Sequence, residues 1–595
     1  ELKYGWHLDY ATLDLDRYYS GPPGDHAFVN FFNNPGSPTT LMSQSYFKLQ
    51  PGQYPTDFGS RYPATDLVQA APGEYTDALK ADVKSITNAL FLQDSWSPWF
   101  LRNLSVNAGV RYEMQKLYDM NGASFISANN IAPRVGAIFD PFNDGKSKIS
   151  AAYGRYYEAI PLDLAARYFG GENWVDRGNV PVGDCANPNE YTWTGAGEYR
   201  GCPIPPVGQT KLANGQPDPA AGGTGATYNN ALKASKINGQ YQNEIVATAE
   251  RQIMDDMTVR LDYTHRWLGS IVEDGYGPTG QDALTNPGNV PAAALSDAQK
   301  ESASATATAT TAQMNADLAA AKAAAAPMDK TLATNAANAQ SAALNAQSAA
   351  ANAQATYATL QTLASAPKPE RTYDALTATV NKRFSKQWMV RGSYTYSRLV
   401  GNYEGLFQTE TGYFSPNATN AYDAPDLYLN SKGYLPNDHT HQGKVDGYYS
   451  LPVGGGTLTL GLSFVARSGM PRNYMSNLIQ GLNYQIVDLL PRGSAGRTPW
   501  TTQLDSHISY EQKIRKGLRL QAFVDLFNVF DQQAAIQQDD NYTFDAAAPI
   551  VNGTPSDLKY AKTPSGTPVT KNPNFGQTVV YQMPFYTRMG MRLMF

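Results

Sequence analysis

The feature that most constrains this chain is an alternation of apolar and polar residues with period two, repeated along most of its length. In residues 104–114, Leu104, Val106, Ala108, Val110, Tyr112 and Met114 fall on one face of an extended strand. Ser105, Asn107, Gly109, Arg111 and Glu113 fall on the other. Residues 257–264 oppose Met257, Val259, Leu261 and Tyr263 to Thr258, Arg260, Asp262 and Thr264. The last segment sets Phe585, Met589, Met591, Leu593 and Phe595 against Tyr586, Arg588, Gly590 and Arg592. Successive side chains of a strand point to opposite faces, so the two faces meet different surroundings.

A soluble sandwich also alternates, and length separates the two cases. Many segments here run for about 12–16 residues, against about 5–6 in globular sheets. A tilted strand crosses a bilayer in about 9–11. Fourteen strands are expected, near 1–16, 83–96, 101–117, 131–142, 147–158, 241–253, 257–272, 371–384, 387–402, 439–451, 457–468, 500–514, 518–530 and 583–595. Their connections alternate in length. Short ones are SPWF, NDGK, MDD, SK, PVGGG and RKG; long ones are 17–82, 118–130, 159–240, 273–370, 403–438, 469–499 and 531–582. Short turns at one rim and long loops at the other imply an all-β, transmembrane outer-membrane barrel, with short turns periplasmic and long loops extracellular.

Composition fits. Only 17% of residues are charged, and 38 Tyr outnumber 22 Phe and 8 Trp. No apolar run is long enough for a spanning helix. A net charge of -5 offers no basic patch, which excludes nucleic acid as a partner. The chain opens at Glu1 inside a strand pattern and without a signal peptide, so a mature chain or a fragment is expected.

Residues 292–366 depart from the pattern. They are dominated by Ala, the best helix former, and are interrupted at Pro327. Two antiparallel helices of about 30 and 35 residues are expected, zipped by Met314, Leu318, Leu332, Leu344 and Leu360. This divides the chain into barrel strands and loops over 1–291, a helical insert over 292–366, and C-terminal barrel strands over 367–595. Cys185 and Cys202 lie close together in a Pro/Gly-rich loop, where a disulfide is expected.

On a lipid-facing side, Arg or Lys would cost about 2–4 kcal/mol at mid-membrane. Arg111, Glu113, Glu250, Arg260, Asp262, Arg391, Asp505, His507, Glu511, Arg519, Asp525, Arg588 and Arg592 are therefore expected to face the lumen. Trp96, Trp99, Phe100, Phe384 and Trp388 cluster near short turns, where a periplasmic aromatic girdle is expected.

Catalytic motifs are lacking. GYGPTG at 275–280 matches a dinucleotide pattern, but Pro278 removes an amide that would cradle a phosphate. His439 and His441 lack the further ligands of a zinc site. Asp423, Asp426, Asp539 and Asp540 read as solvated loop carboxylates. No cofactor, metal or enzymatic activity is expected.

FLQDSW with NAGVRYE, then APRVGAIFDPFNDGKSKISAAYGRYYE, resemble the C-terminal barrel of TonB-dependent receptors. SYTYSRLVGNYEG, GRTPWTTQLD and FVDLFNVFDQQ are similar to its Oar-like, OmpA-related subfamily, and the likeness runs from about residue 84 to Phe595. The resemblance implies a 22-stranded barrel of which these are the last fourteen strands. It implies an N-terminal plug and TonB contact, neither of which is found in this sequence, and an aromatic end, Phe595, read by the outer-membrane assembly machinery. The expected function is uptake or export of a large or scarce ligand of unidentified chemistry, captured by loops 159–240 and 403–438. Two alternatives stand beside it: a passive 14-stranded channel, and a surface protein acting through residues 292–366.

Overall fold

The computed structural model describes residues 1–18, 78–118, 124–169, 237–278, 283–408, 416–417, 419–477, 486–515 and 517–595, with short strand pieces within 27–47 and 174–200. Fourteen strands lie side by side in chain order, each antiparallel to the next. They are β1 (Leu2–Tyr18), β2 (Ala78–Trp96), β3 (Leu104–Tyr118), β4 (Ser124–Phe139), β5 (Ser147–Tyr157), β6 (Tyr241–Met254) and β7 (Met257–Ser270). Then come β8 (Arg371–Ser385), β9 (Trp388–Gly401), β10 (His441–Val453), β11 (Gly456–Arg467), β12 (Thr501–Arg515), β13 (Leu518–Phe527) and β14 (Tyr586–Met594). Nearest-neighbour order is what consecutive hairpins dictate. Among the described residues no ladder joins β1 to β14, so the sheet has two free edges.

Tight turns set the register at one rim. Between β10 and β11 only Gly454 and Gly455 intervene, at φ of 57° and 80°. A two-residue hairpin turn with both central residues at positive φ matches the twist of its strands, and glycine adopts it without a Cβ clash.

One connection differs from expectation. Residues 118–130 read as a long loop, but β3 and β4 extend toward each other until only 119–123 lie between them. Ile126 and Ala128 are buried, opposite Leu117 and Gln115, so the period-two burial continues through a stretch whose polar residues suggested a loop. The alternation of short and long connections therefore has one exception.

The alternation reaches the sheet as two unlike faces. Trp6, Leu90, Tyr112 and Ile131 stand directly opposite one another on β1 to β4, each between 42% and 64% exposed. A row of large exposed apolar side chains marks a surface that meets another apolar phase. The intervening positions carry the charges.

Two long helices, α2 (Ala292–Ala325) and α3 (Lys330–Ser365), form the hairpin between β7 and β8; α1 is the short helix Leu162–Phe169. Asp329 caps α3, accepting from the backbone N–H groups of Thr331 and Leu332 at 2.9 and 3.2 Å. The helix seam is built of small residues at seven-residue spacing: Ser302, Ala309 and Ala316 on α2, Ala343 and Ala350 on α3. A seven-residue repeat keeps one stripe facing its partner. Gln347 to Gln313 (2.8 Å) and Gln354 to Thr306 (3.0 Å) bridge the pair. Three of the five larger residues expected to zip the helices do not do so, and Leu332 is half-buried. Met314, Leu318 and Leu344 are exposed, because an alanine seam brings the backbones too close to admit them, while Leu360 is buried against the core at the hairpin base.

Candidate functional site: a charged face beneath a loop cap

Charged side chains two residues apart on a strand share a face, and here they meet. Arg111 binds Glu113 at 2.8 Å. Arg260 binds Asp262 at 2.7 Å, and Thr248 donates to the same carboxylate at 2.6 Å. Glu250 stands opposite Arg260 on the neighbouring strand. Glu511 accepts from Arg519 at 3.1 Å. Asp525 holds His507 at 2.6 Å and Arg588 at 2.7 Å, joining β12, β13 and β14. Asp505 accepts from Gln503 and from the backbone N–H of Asn528. The side chains of Arg391 and Arg592 lie on this face with no hydrogen bond or ion pair among the described residues; Arg391 stands opposite Asp446 on β10. Exposed pairs of this kind contribute about 0–1 kcal/mol each, so their effect is a polar wall of near-balanced charge rather than stability.

Toward the long-loop rim this wall is covered. The segment after β5 turns inward: Gln115 on β3 donates to the carbonyl of Ile160 at 3.0 Å and accepts from its N–H at 2.9 Å. Leu164 and Ala165 of α1 then join Val83, Leu117 and Ile126 from the charged-face side of the strands. Ile271, Val272, Leu284, Leu360, Leu363, Tyr403 and Tyr422 complete the same core, so the hairpin base and the loops after β7 and β9 pack as one cap. Gln240 ties it together, donating to Glu158 at 2.8 Å and accepting from Asn417 at 2.9 Å.

Glu273 is the cap's least expected residue, a carboxyl with no exposure. Its backbone pairs with Thr285, and its side chain accepts from the Tyr403 hydroxyl at 2.7 Å and from the N–H of Thr419. Burial, then the neighbouring Asp274 charge, holds its pKa well above the ordinary carboxyl value. Burial also raises the phenols of Tyr403 and Tyr422, and pushes Tyr428 up to about 12. Nearby, Arg492 sits buried between Asp488 (3.4 Å) and Glu404 (3.6 Å). Nothing in the local sequence pattern marks Glu273 as buried, since its side-chain hydrogen-bond donors are more than 100 residues away.

Trp96, Trp99, Phe100, Phe384 and Trp388 lie beside the short turns after β2 and β8. Trp96 and Trp99 both meet the Phe100 ring edge-on, Phe384 stacks on Tyr448 at 5.5 Å, and Trp388 lies under the Lys382 ammonium at 4.1 Å. Phe595 follows β14 and is exposed. A second aromatic row, missed in the sequence, occupies the other rim: Tyr153, Trp267, Tyr396, His441 and Trp500. Its signal was available in part, since His441 opens β10 and Trp500 directly precedes β12. Phe384 is twelve residues along β8 from Thr372, which pairs with Trp267. That is about 40 Å along the strand, and about 31 Å across a layer at a 40° tilt, close to the ~30 Å of a hydrocarbon core.

Among the described residues no group of three or more His, Cys, Asp or Glu could hold a metal ion, and no helix is long and apolar enough to cross a membrane. Cys185 and Cys202 lie outside the described residues.

Residues 118–470 match the family model described as outer membrane beta barrel domain. The TonB-dependent transporter Oar of Myxococcus xanthus is 30% identical over 543 residues, covering 87% of this chain and 43% of the relative. The chain thus spans less than half the length of that curated relative. Solved structures with some likeness include the FrpB iron transporter from Neisseria meningitidis (8% identity, 93% of this chain and 52% of that one, TM-score 0.40). Another is the ferric-catecholate import receptor Fiu of E. coli K12 (9% identity, 100% and 55%, TM-score 0.39). Superpositions this loose transfer neither ligand nor mechanism.

Proposed function

The chain belongs to the outer membrane β-barrel domain family, and from that premise we propose that it forms a large part of the barrel of a TonB-dependent receptor that moves a large or scarce ligand across the outer membrane. The observation that carries this reading is the pair of faces on one long antiparallel sheet. One is apolar and exposed between two aromatic rows; the other is lined with ion pairs and capped by folded loops. The apolar face meets lipid, and the charged residues line the lumen. Short turns face the periplasm, where Trp96, Trp99, Phe384 and Trp388 form the girdle, and the long loops face outward.

A sheet edge cannot stand unpaired in hydrocarbon. Further strands, from parts of the protein outside this chain, therefore close the sheet between β14 and β1, in line with the 43% of the relative that is covered. A plug and the TonB contact belong to those parts as well. Phe595 is the aromatic end offered to the assembly machinery, Cys185 and Cys202 form a loop disulfide, and loops 159–240 and 403–438 capture the ligand. The test is to compare depletion of medium components by cells with and without the gene, before and after collapse of the proton-motive force. Gene-dependent depletion that stops on collapse is the expected result. Depletion that continues would favour a passive channel, and none at all would remove the transport reading.

A second reading concerns residues 292–366 as a separate unit. Exposed Met314, Leu318, Met328 and Leu344 on the hairpin favour docking of a surface protein there. Deleting 292–366 should then abolish adhesion or assembly and spare uptake; loss of uptake alone would contradict it.

A further inference from the structure

Where the lumenal wall meets the last long loop there is a cavity of about 250 Å³. Its wall is Ser463, Val465 and Arg467 of β11 with Thr501, Gln503 and Asp505 of β12, all on the charged face. Ile536 and Gln582 from the connection between β13 and β14 line its far side, and His439 lies at its edge. The space takes several waters or one ligand of monosaccharide size.

Two polar groups at this cavity are complementary. The exposed side chain of Arg467 has no hydrogen bond or ion pair among the described residues, unlike those of Arg111, Arg260, Arg519 and Arg588 on the same face, so its guanidinium is open to a ligand. Gln582 is 8% exposed; its amide N–H donates to the Thr502 carbonyl at 2.8 Å, but its buried Oε1 has no donor. The carboxylate that might have answered Arg467, Asp505, is occupied by Gln503 and the Asn528 N–H. The side chains of Lys444, opposite Val465 on β10, and of Arg391 on β9 are also without hydrogen bond or ion pair among the described residues; with Arg467 they stand against two carboxylates, Asp505 and Asp446, the latter opposite Arg391 and accepting from Ser463 at 2.6 Å. The local surplus is positive.

We propose that this cavity is a ligand subsite for a small polyhydroxy carboxylate. The carboxylate pairs with the planar Arg467 guanidinium, which matches it in geometry as well as charge. A turn of the Gln582 amide, whose Oε1 is enclosed, brings that oxygen to a hydroxyl of the same molecule, and the hydroxyl- and amide-bearing wall accommodates the rest. A few placed polar groups in a cavity of this size are what fixes a small ligand's orientation. This names a chemistry for ligand capture, and so rests on the receptor reading above.

The test is a saturation-transfer NMR titration of the complete protein, with the parts outside this chain, in detergent micelles, with glucuronate as probe and methyl glucoside as its neutral counterpart. Glucuronate should bind saturably, and methyl glucoside at least about ten-fold more weakly. Arg467→Gln should weaken glucuronate by a similar factor and leave the glucoside unchanged, while Arg467→Lys restores part of the loss. Gln582→Leu should weaken both probes. Circular dichroism and heat-dependent gel mobility report whether each variant has folded, and ligand effects are read from folded variants. Equal binding of the two probes, no saturable glucuronate signal, or an unaffected Arg467→Gln variant would overturn the proposal. Because the titration needs no energy source, it separates the two readings. Glucuronate binding with depletion that ignores the proton-motive force removes only energised uptake; energised depletion without glucuronate binding removes only this subsite.

Discussion

The hydroxyl of Tyr403 donates a 2.7 Å hydrogen bond to the Glu273 carboxyl, and the two side chains, 130 residues apart in sequence, are both buried in the cap. This contact joins the loop after β7 to the loop after β9. It is the polar counterpart of the apolar core that Tyr403 shares with Leu284, Leu363 and Tyr422.

Tyr403→Phe keeps the ring and removes the donor. The buried carboxyl then loses a partner, at a cost of about 1–3 kcal/mol. Hydrogen exchange at residues 271–285 and 419–438 should quicken accordingly, with exchange in β9 to β12 unchanged. Equal exchange in the variant and the parent would show that the bond does not hold the cap.

The pH dependence of the same region follows from Glu273. Its folded-state pKa is raised well above the ordinary value, by burial first and by Asp274 second. The sign is therefore fixed. The stabilising contribution is complete below the unfolded value of about 4.3 and is lost as pH rises through the raised folded value. After correction for intrinsic exchange, opening of the cap should increase with pH over that window, and Glu273→Gln should flatten the dependence. An opening that instead increases toward acid would contradict the assignment.

Asp256, in the turn between β6 and β7, has the opposite sign. The Ser385 hydroxyl and the Lys382 ammonium at 3.0 Å hold it below the usual carboxylate range. Its contribution is present above the unfolded value of about 3.9 and is lost as pH falls through the folded one. Asp256→Asn should reduce the sensitivity of this turn to acid, read as hydrogen exchange at residues 252–258 and 382–388.

The alanine seam of the hairpin gives a prediction independent of the sheet. Ala343 is fully buried between α2 and α3. Ala343→Leu should force the helices apart at a cost of about 1–3 kcal/mol. Ala337→Leu, at an exposed position, should cost little. Spin labels placed across the pair would report the separation by pulsed resonance, and an unchanged distance would show that the seam is not closely packed.

The sheet was legible in the sequence because a strand's alternation is local: residues 104–114 declare both faces without reference to any partner. Helix formation at 292–366 was legible for the same reason, since alanine content acts residue by residue. The helix seam was misread because leucine and methionine usually fill helix interfaces, whereas the repeated Asn338, Asn345 and Asn352 already carried the seven-residue period of a small-residue seam. The connection at 118–130 was misread because Asn129 and Asn130 look like loop residues until their opposite neighbours on β3 are known. The cap was not legible at all. Gln115 with Ile160 and Glu273 with Tyr403 are long-range pairings whose members carry no distinctive local pattern, and the same holds for Gln582 with Thr502 beside the cavity.

The central claim is that one face of this sheet meets lipid and the other an aqueous lumen. With Cys185 and Cys202 first replaced by Ser, single cysteines at Val110→Cys, Arg111→Cys, Tyr112→Cys and Glu113→Cys would carry spin labels in reconstituted bilayers. Oxygen, which concentrates in lipid, and a water-soluble nickel chelate would then be compared as relaxing agents. The account predicts strict alternation, with oxygen dominant at 110 and 112 and the chelate dominant at 111 and 113. The same high chelate accessibility at all four positions would contradict it.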